Sequence, residues 1–150
     1  MADLDRRSFL ALTAGLCAAC ALGGNVLAAP DTKAEPVDIG PLSDFKTDGV
    51  NDKFARNHFL VIRNDGKLYA SSSLCTHKGV PLTVRGGEIL CTKHGSKFSN
   101  EGTVTKGPAR DSLVRYAIST NDKGHVIVDT GTSFREKNFG DKKAYVDVSK

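Results

Sequence analysis

The sequence predicts an all-β fold, an antiparallel sandwich or barrel, on three observations. Short apolar runs rich in β-branched and aromatic residues are separated by turns that contain glycine, which is typical of antiparallel strands. Two pairs of such runs flank a turn of the hairpin kind. No amphipathic helix pattern and no repeat of solenoid length occurs, so helical and solenoid classes are excluded. The length of 150 residues fits one domain.

Residues 1–28 form the first predicted segment, an export leader. Asp5-Arg6-Arg7-Ser8-Phe9-Leu10 precedes an apolar, alanine-rich run. This resembles a twin-arginine signal, which directs the export of proteins that are already folded. Cleavage is expected before Ala29. The alternatives are a Sec signal, a retained membrane anchor, and lipidation at Cys17 or Cys20, neither of which follows a convincing lipobox. The unbroken apolar stretch 9–22 is shorter than the ~20 residues that span a bilayer, which argues against the anchor.

A short linker is predicted to precede the folded domain. Residues 29–36 contain two prolines, and the domain is expected to cover 37–150. Val37–Ile39 is expected to begin the first strand. The stretch 44–56 is polar and carries no pattern that predicts an element.

Two hairpins form the predicted frame. Asn64-Asp65-Gly66-Lys67 makes the first turn, because glycine tolerates the positive φ that such a turn demands. Asn121-Asp122-Lys123-Gly124 makes the second. The flanking runs are Phe59–Ile62 and Leu68–Ala70 in the first hairpin, and Leu113–Ile118 and Val126–Val128 in the second.

The tail 130–150 lies beyond the second hairpin. Its aromatic residues, Phe134, Phe139 and Tyr145, are expected to pack over the sheet. The weak alternation of Tyr145-Val146-Asp147-Val148 favours an edge strand.

Composition and charge give little indication of what kind of partner the protein binds. The net charge of +4 is mild, and basic residues are interleaved with acidic ones, so no nucleic-acid partner is predicted. Without the leader, about 120 residues remain, enough to bury roughly 65% of the unfolded surface. The domain therefore does not need disulfides to fold.

Two short stretches carry soft metal ligands. Cys75-Thr76-His77 is followed, after thirteen intervening residues, by Cys91-Thr92-Lys93-His94. Two thiolates and two imidazoles can hold a [2Fe–2S] cluster, with both cysteines on one iron and both histidines on the other. The same ligands are a legitimate zinc set, although structural zinc loops usually place like ligands close together. A disulfide between Cys75 and Cys91 is a third alternative, and it leaves the histidines unexplained.

These stretches resemble the two cluster loops of the Rieske iron–sulfur family, C-x-H-x-G and C-x-x-H-G-x-x-[FY]. Both halves match, including Gly79, Gly95 and Phe98. The resemblance covers about residues 57–128 and implies a Rieske-like fold, with a small subdomain of two cluster-binding loops inserted into the β frame. A third loop, at Gly107-Pro108, would close over the cluster. Glycines on the loops would let backbone N–H groups approach the cluster sulfides.

The resemblance also implies how the reduction potential is set. In the high-potential respiratory members, the serine and tyrosine of C-x-x-H-G-S-x-Y donate hydrogen bonds to the cluster. Ser96 matches the serine, and Phe98 replaces the tyrosine. One such bond and an intermediate potential are therefore expected. Those members also have a disulfide between the two loops, and Val80 and Lys93 occupy its positions here.

Three lysines fall on the cluster loops: Lys78, Lys93 and Lys97. They are either ordinary solvated side chains or a ring around the histidine edge that favours an acidic docking face on a partner. In quinol-oxidising members of the family, the position of Lys78 usually holds an apolar leucine beside the quinone pocket. A lysine there argues against direct quinol oxidation.

Together these observations predict an exported, periplasmic electron-transfer protein with one Rieske-type [2Fe–2S] cluster, and not an enzyme by itself. Its partner would be a cytochrome or the large subunit of an oxidoreductase. The runner-up is the Rieske subunit of a membrane quinol–cytochrome c reductase-type complex, with the leader kept as an anchor. The alternative from another class is a zinc-stabilised interaction module. An oxygenase catalytic subunit is excluded, because the residues after Phe98 are too few for a second domain with a mononuclear iron site.

Overall fold

The computed structural model describes residues 34–149, and these residues form eleven β-strands joined by loops and three short 3₁₀ helices. The strands are β1 (Val37–Pro41), β2 (Gly49–Asn51), β3 (Phe59–Asn64), β4 (Lys67–Ser72), β5 (Thr83–Arg85), β6 (Glu88–Leu90), β7 (Lys97–Phe98), β8 (Val104–Lys106), β9 (Arg115–Thr120), β10 (His125–Phe134) and β11 (Val146–Asp147).

The strands assemble into two antiparallel sheets, which confirms the predicted all-β class. The larger sheet has the order β1-β10-β9-β4-β3-β2, and β11 adds to β4. The smaller sheet has the order β5-β6-β7-β8. The four strands of the smaller sheet come from one continuous part of the chain, between β4 and β9. The chain therefore inserts a small sheet into a larger β frame, as expected for a separate loop-bearing subdomain.

The first predicted hairpin is confirmed residue by residue. β3 and β4 pair in the register that sets Asn64 opposite Lys67. The two turn residues, Asp65 and Gly66, both have positive φ, at 48° and 69°. Such a turn twists in the same sense as the strands it joins, which is why Asp-Gly is a strong hairpin signal.

The second predicted hairpin is also present, with different strand bounds. β9 begins at Arg115, two residues later than expected, and β10 continues to Phe134. In the turn, the side-chain oxygen of Asn121 accepts the backbone N–H groups of Lys123 and His125, both at 3.0 Å. These bonds fix the turn independently of the strand pairing.

The burial of β3 on both faces explains why its sequence is a continuous apolar run and not an alternating one. Leu60 and Ile62 pack into a core cluster that also holds Cys75 and Cys91. Phe59 and Val61 point to the other face of the sheet, into a second cluster with β1 and β10. Because successive side chains of a strand alternate between faces, a strand buried on both faces needs apolar residues at every position.

The structure also tests the expectations for the first strand, the tail strand and the stretch 44–56. The first strand is confirmed at β1, and the edge strand in the tail is confirmed at β11, where Val146 pairs with Leu68. The stretch 44–56 contains β2, which the sequence did not predict. The leader lies outside the described residues, as does the linker up to residue 33. Within residues 34–149, no helix has the length and apolar character needed to cross a bilayer.

Candidate metal centre

The two motif loops have the same backbone frame. In the first, the Gly79 N–H donates to the Cys75 carbonyl at 2.7 Å, and the Cys75 N–H donates to the Val80 carbonyl at 2.8 Å. In the second, Gly95 and Cys91 repeat both bonds at 2.8 Å, with Ser96 in the place of Val80. We call residues 75–80 the first cluster loop and residues 91–96 the second. The histidine is the second residue after the cysteine in the first loop, whereas it is the third in the second loop.

Each loop depends on its glycine for a left-handed backbone conformation. Gly79 has φ of 63° and Gly95 has φ of 77°. A Cβ atom built at either position meets no described atom within 4 Å. The backbone dihedral, and not space within the protein, therefore selects glycine here, because a side chain in this region costs about 1–2 kcal/mol.

The two cysteines are buried and unlinked. Cys75 is 2% exposed and Cys91 is 1% exposed, and both belong to the core cluster that lies beside the small sheet. Both thiols are free. The disulfide alternative is therefore wrong, and two free sulfur atoms lie at the inner end of the loops. Buried thiols are normally inert and are good ligands only when a metal ion deprotonates them.

The two histidines lie together on the outer side of the loops. The rings of His77 and His94 meet edge to face, with centroids 5.0 Å apart and an angle of 89° between planes. The Nδ1 atom of each ring is inaccessible to solvent and has no hydrogen-bond partner among the described residues. Two buried nitrogen atoms without partners would cost about 1–3 kcal/mol each. A metal bound at Nδ1 would remove that cost, so the residues present fit a metal–sulfur centre.

The surroundings of His94 favour its neutral form. Its pKa is lowered, first by desolvation and then by the positive field of His77, Lys78 and Lys93. Only a neutral imidazole offers a lone pair to a metal. The electrostatics of the second loop therefore agree with a ligand role.

The ligands do not converge on a single point. Among residues 34–149, no group of three or more His, Cys, Asp or Glu side chains is placed to hold one metal ion. A two-iron cluster would not require such a group, because its four protein ligands would be divided two and two between the irons. The arrangement is therefore compatible with a binuclear centre.

The third loop is fastened to the second by Ser96. Ser96 is fully buried, and its Oγ accepts the backbone N–H of Ala109 at 3.0 Å. Ala109 follows Gly107-Pro108, the predicted closing segment, in which the peptide bond is cis. Phe98 is 1% exposed and packs in the core cluster that holds both cysteines. The structure thus brings every predicted tuning residue to the loops.

The three predicted docking lysines do not behave alike. Lys78 and Lys93 are exposed and close enough to lower the pKa of His94. Lys97 is half-buried, and its Nζ pairs with Glu88 at 3.3 Å across the β6–β7 strands. Among the three, Lys97 is therefore the one whose charge is partly neutralised within the chain.

Sequence reasoning missed a cleft beside His77. Its volume is about 360 Å³, and it is lined by Thr76, His77, Pro108, Arg110 and Asp111. Arg110 adds a cation at the histidine edge. The Gly-Pro loop offered the available signal, since Arg110 follows it by two residues and must lie near whatever that loop covers.

Comparison with known proteins gives one family. The "Rieske [2Fe-2S] domain" family matches residues 35–117. The chloroplastic cytochrome b6-f complex iron-sulfur subunit 1 of Nicotiana tabacum is 35% identical over 111 residues, which is 71% of this chain and 45% of the tobacco protein. The cytochrome b6-f complex iron-sulfur subunit of Chlorobaculum tepidum is 29% identical over 138 residues, 84% of this chain and 76% of that protein. The chain spans about half the length of the tobacco subunit.

Among solved structures, the chain is similar to the cyanobacterial plasma membrane Rieske protein PetC3 from Synechocystis PCC 6803. The two are 29% identical, with a TM-score of 0.48. The match covers 61% of this chain and 97% of the cyanobacterial one.

Proposed function

Because the chain belongs to the Rieske [2Fe–2S] family, we propose that it transfers single electrons and that its two cluster loops hold the cluster. The family match confirms the resemblance drawn from the two motifs. It also makes a single [2Fe–2S] cluster the cofactor, so the zinc-stabilised alternative is set aside. When bound, such a cluster accepts and releases one electron.

The proposed ligands divide by depth. Cys75 and Cys91 would bind the inner iron, because both thiols are buried in the core. His77 and His94 would bind the outer iron through the Nδ1 atoms that lack other partners. Since imidazole donates less charge than thiolate, the outer iron is the easier one to reduce. The accumulated electron would therefore lie on the side nearer to solvent, where a partner can collect it.

The Ser96 hydroxyl can still donate one hydrogen bond. Its oxygen accepts the Ala109 N–H, so its own proton remains available to donate toward a cluster sulfur. Phe98 has no such proton. We propose one side-chain hydrogen bond to the cluster and an intermediate potential, above that of all-cysteine ferredoxins.

As the first candidate, we propose that the chain is a subunit of a membrane cytochrome complex. The support is that the tobacco and Chlorobaculum relatives are named as iron-sulfur subunits of cytochrome b6-f complexes. Its electron acceptor would be a cytochrome that docks on the face formed by the two histidines. This places the predicted runner-up ahead of the predicted soluble carrier.

A periplasmic carrier is the second candidate, and specific residues favour it. Lys78 is exposed beside the histidine edge, where quinol-oxidising members of the family usually have leucine. Val80 and Lys93 stand where those members have the loop disulfide. Both settings require export, for which the twin-arginine-like leader is our proposed signal. Quinol-driven reduction of the cluster in washed membranes would support the subunit role, and cluster protein recovered only in the soluble periplasm would support the carrier.

The test of the cluster itself uses the purified, iron-loaded chain. We expect two irons and two acid-labile sulfides per chain and a Rieske-type EPR signal after reduction. Cys75→Ser and His77→Gln should lose the cluster. His58→Asn is the matched control: His58 lies outside the loops with φ of 66°, a conformation that asparagine tolerates. A folded but colourless protein, or stoichiometric zinc, would refute the proposal.

A further inference from the structure

Thr76 lies between Cys75 and His77, the two proposed ligands of the first loop. Its hydroxyl donates to the backbone carbonyl of Asp111 at 2.7 Å. Asp111 belongs to the irregular segment between β8 and β9 and follows the Gly-Pro loop. This bond therefore joins the first cluster loop to a part of the chain that is 35 residues away.

The segment that Thr76 binds is itself anchored firmly. Leu113 is fully buried in the core cluster of both cysteines, and its N–H donates to the Gly102 carbonyl at 2.8 Å. Ser112 is 7% exposed, and its Oγ accepts the Val104 N–H at 3.2 Å. The Asp111 carbonyl is consequently a fixed acceptor and not a mobile one.

One anchor of this segment comes from the C-terminal tail. The hydroxyl of Ser112 donates to Oε2 of Glu136 at 2.8 Å. Glu136 begins the 3₁₀ helix that follows β10 and lies outside residues 35–117, the part of the chain that the family match covers. A cleft of about 280 Å³, lined in part by Thr76, Ser112 and Glu136, runs between the first loop and the tail. The tail therefore reaches the loop through Ser112 and Asp111.

The second loop supplies an internal comparison. Thr92 follows Cys91 as Thr76 follows Cys75, and the two loops share their backbone hydrogen bonds. Both threonines are exposed. Thr76 nevertheless has the bond to Asp111, whereas no bond of the Thr92 hydroxyl occurs among the described residues. The same residue type at the same loop position is thus fastened in one loop and free in the other.

We propose that Thr76 is a positioning residue for the cluster, and that Glu136 of the tail supports it through Ser112 and Asp111. By fixing the peptide between Cys75 and His77, the bond holds a thiolate for one iron and an imidazole for the other in a set separation. This inference rests on the proposed cluster ligands. It adds a contribution from a segment that the family match does not cover.

The experiment compares Thr76→Val with Thr92→Val in the cluster-loaded protein. Hydrogen exchange, read by mass spectrometry on peptides covering 75–80 and 91–96, should become about two- to fivefold faster in the first loop of Thr76→Val only. The same variant should lose the cluster faster under a chelator and show shifted EPR g-values after reduction. Thr76→Ser, which keeps the hydroxyl, should restore all three properties.

The tail is tested separately. Glu136→Ala should speed exchange in the first loop in the same direction, whereas Lys137→Ala, the exposed neighbour, should leave it unchanged. If Thr76→Val and Thr92→Val behave alike, the positioning role is refuted. If Glu136→Ala has no effect on the first loop, the contribution of the tail is refuted. Failure of the proposed function looks different, because the unmodified chain would then hold no cluster to lose.

Discussion

Replacing Ser96 with alanine removes a hydroxyl that accepts the Ala109 N–H and that we propose to donate to a cluster sulfur, and the two losses appear in different measurements. The first is the bond from the Ala109 N–H, which lies in a buried site. An alanine at position 96 leaves that N–H without a partner, which costs about 1–3 kcal/mol of unfolding free energy. The third loop should loosen against the second as a result.

The second loss concerns the reduction potential. A hydroxyl that donates to a cluster sulfur binds the more negative, reduced state more strongly. If the two states differ by about 1 kcal/mol in that bond, a typical net hydrogen-bond energy, then Ser96→Ala lowers the potential by about 40 mV, since about 59 mV is tenfold for one electron. An EPR-monitored redox titration measures the shift, and urea unfolding measures the stability.

Ser73→Ala is the control for this experiment. Ser73 is also buried, and its hydroxyl donates to the Ala55 carbonyl at 3.2 Å. Its loss should lower stability and leave the potential unchanged. A Ser96→Ala protein that is destabilised but has an unaltered potential would refute the proposed bond to the cluster, and would leave Ser96 as a structural link to the third loop.

Three further predictions concern charge, backbone and pH. The double variant Lys78→Glu with Lys93→Glu should slow electron transfer to an acidic c-type cytochrome at least about tenfold at low salt. Lys97→Glu should slow it much less, because Lys97 pairs with Glu88. Stopped-flow rates at two ionic strengths test this prediction, and equal effects of all three substitutions would contradict it. Gly95→Ala should lower the unfolding free energy measured in urea by about 1–2 kcal/mol. Gly140→Ala should not, because Gly140 has neither a positive φ nor near neighbours. Equal urea midpoints of the two variants would contradict the role assigned to φ. The pKa of Asp38 is lowered by the Gly40 N–H and then by His125, so the ionised carboxylate stabilises the fold above the unfolded pKa near 3.8, and this stabilisation is lost as pH falls through the lower folded value. Asp38→Asn should therefore flatten the curve of unfolding free energy against pH in that range. An unchanged acid slope would count against the reasoning.

Sequence reasoning succeeded where the cause is local. Asp65 and Gly66 demand a turn by their own dihedral preferences, and the apolar run before them needs only burial on both faces. The paired motifs were sufficient for the family, because ligand type and spacing are themselves the signal. These features require no knowledge of where distant residues lie.

The features that were missed all depend on distant partners. β2 is three residues long and exists because Gly49–Asn51 pairs with β3, while its own sequence, Gly-Val-Asn, is too short to show a strand pattern. Thr76 and Thr92 both follow a Leu-Cys pair, and only the fold brings Asp111 to the first of them. Lys97 resembled the other two loop lysines until the β6–β7 register placed Glu88 within reach of its side chain.

The burial of the two loops divides the site into an inner and an outer half, and the division makes the proposals separable. The thiols, Ser96 and Phe98 lie inside, where water is excluded and a hydrogen bond changes the relative energy of the two redox states. The imidazole edge, Lys78 and Lys93 lie outside, where charges act mainly on the approach of a partner and are screened by salt. Inner substitutions should therefore move the potential without altering the salt dependence of electron transfer. Outer ones should mainly change that salt dependence and should shift the potential by less, through the same field that lowers the pKa of His94. A variant such as Lys78→Glu that moved both by large amounts would show that the two halves are not independent, and the assignment of roles by depth would have to be abandoned.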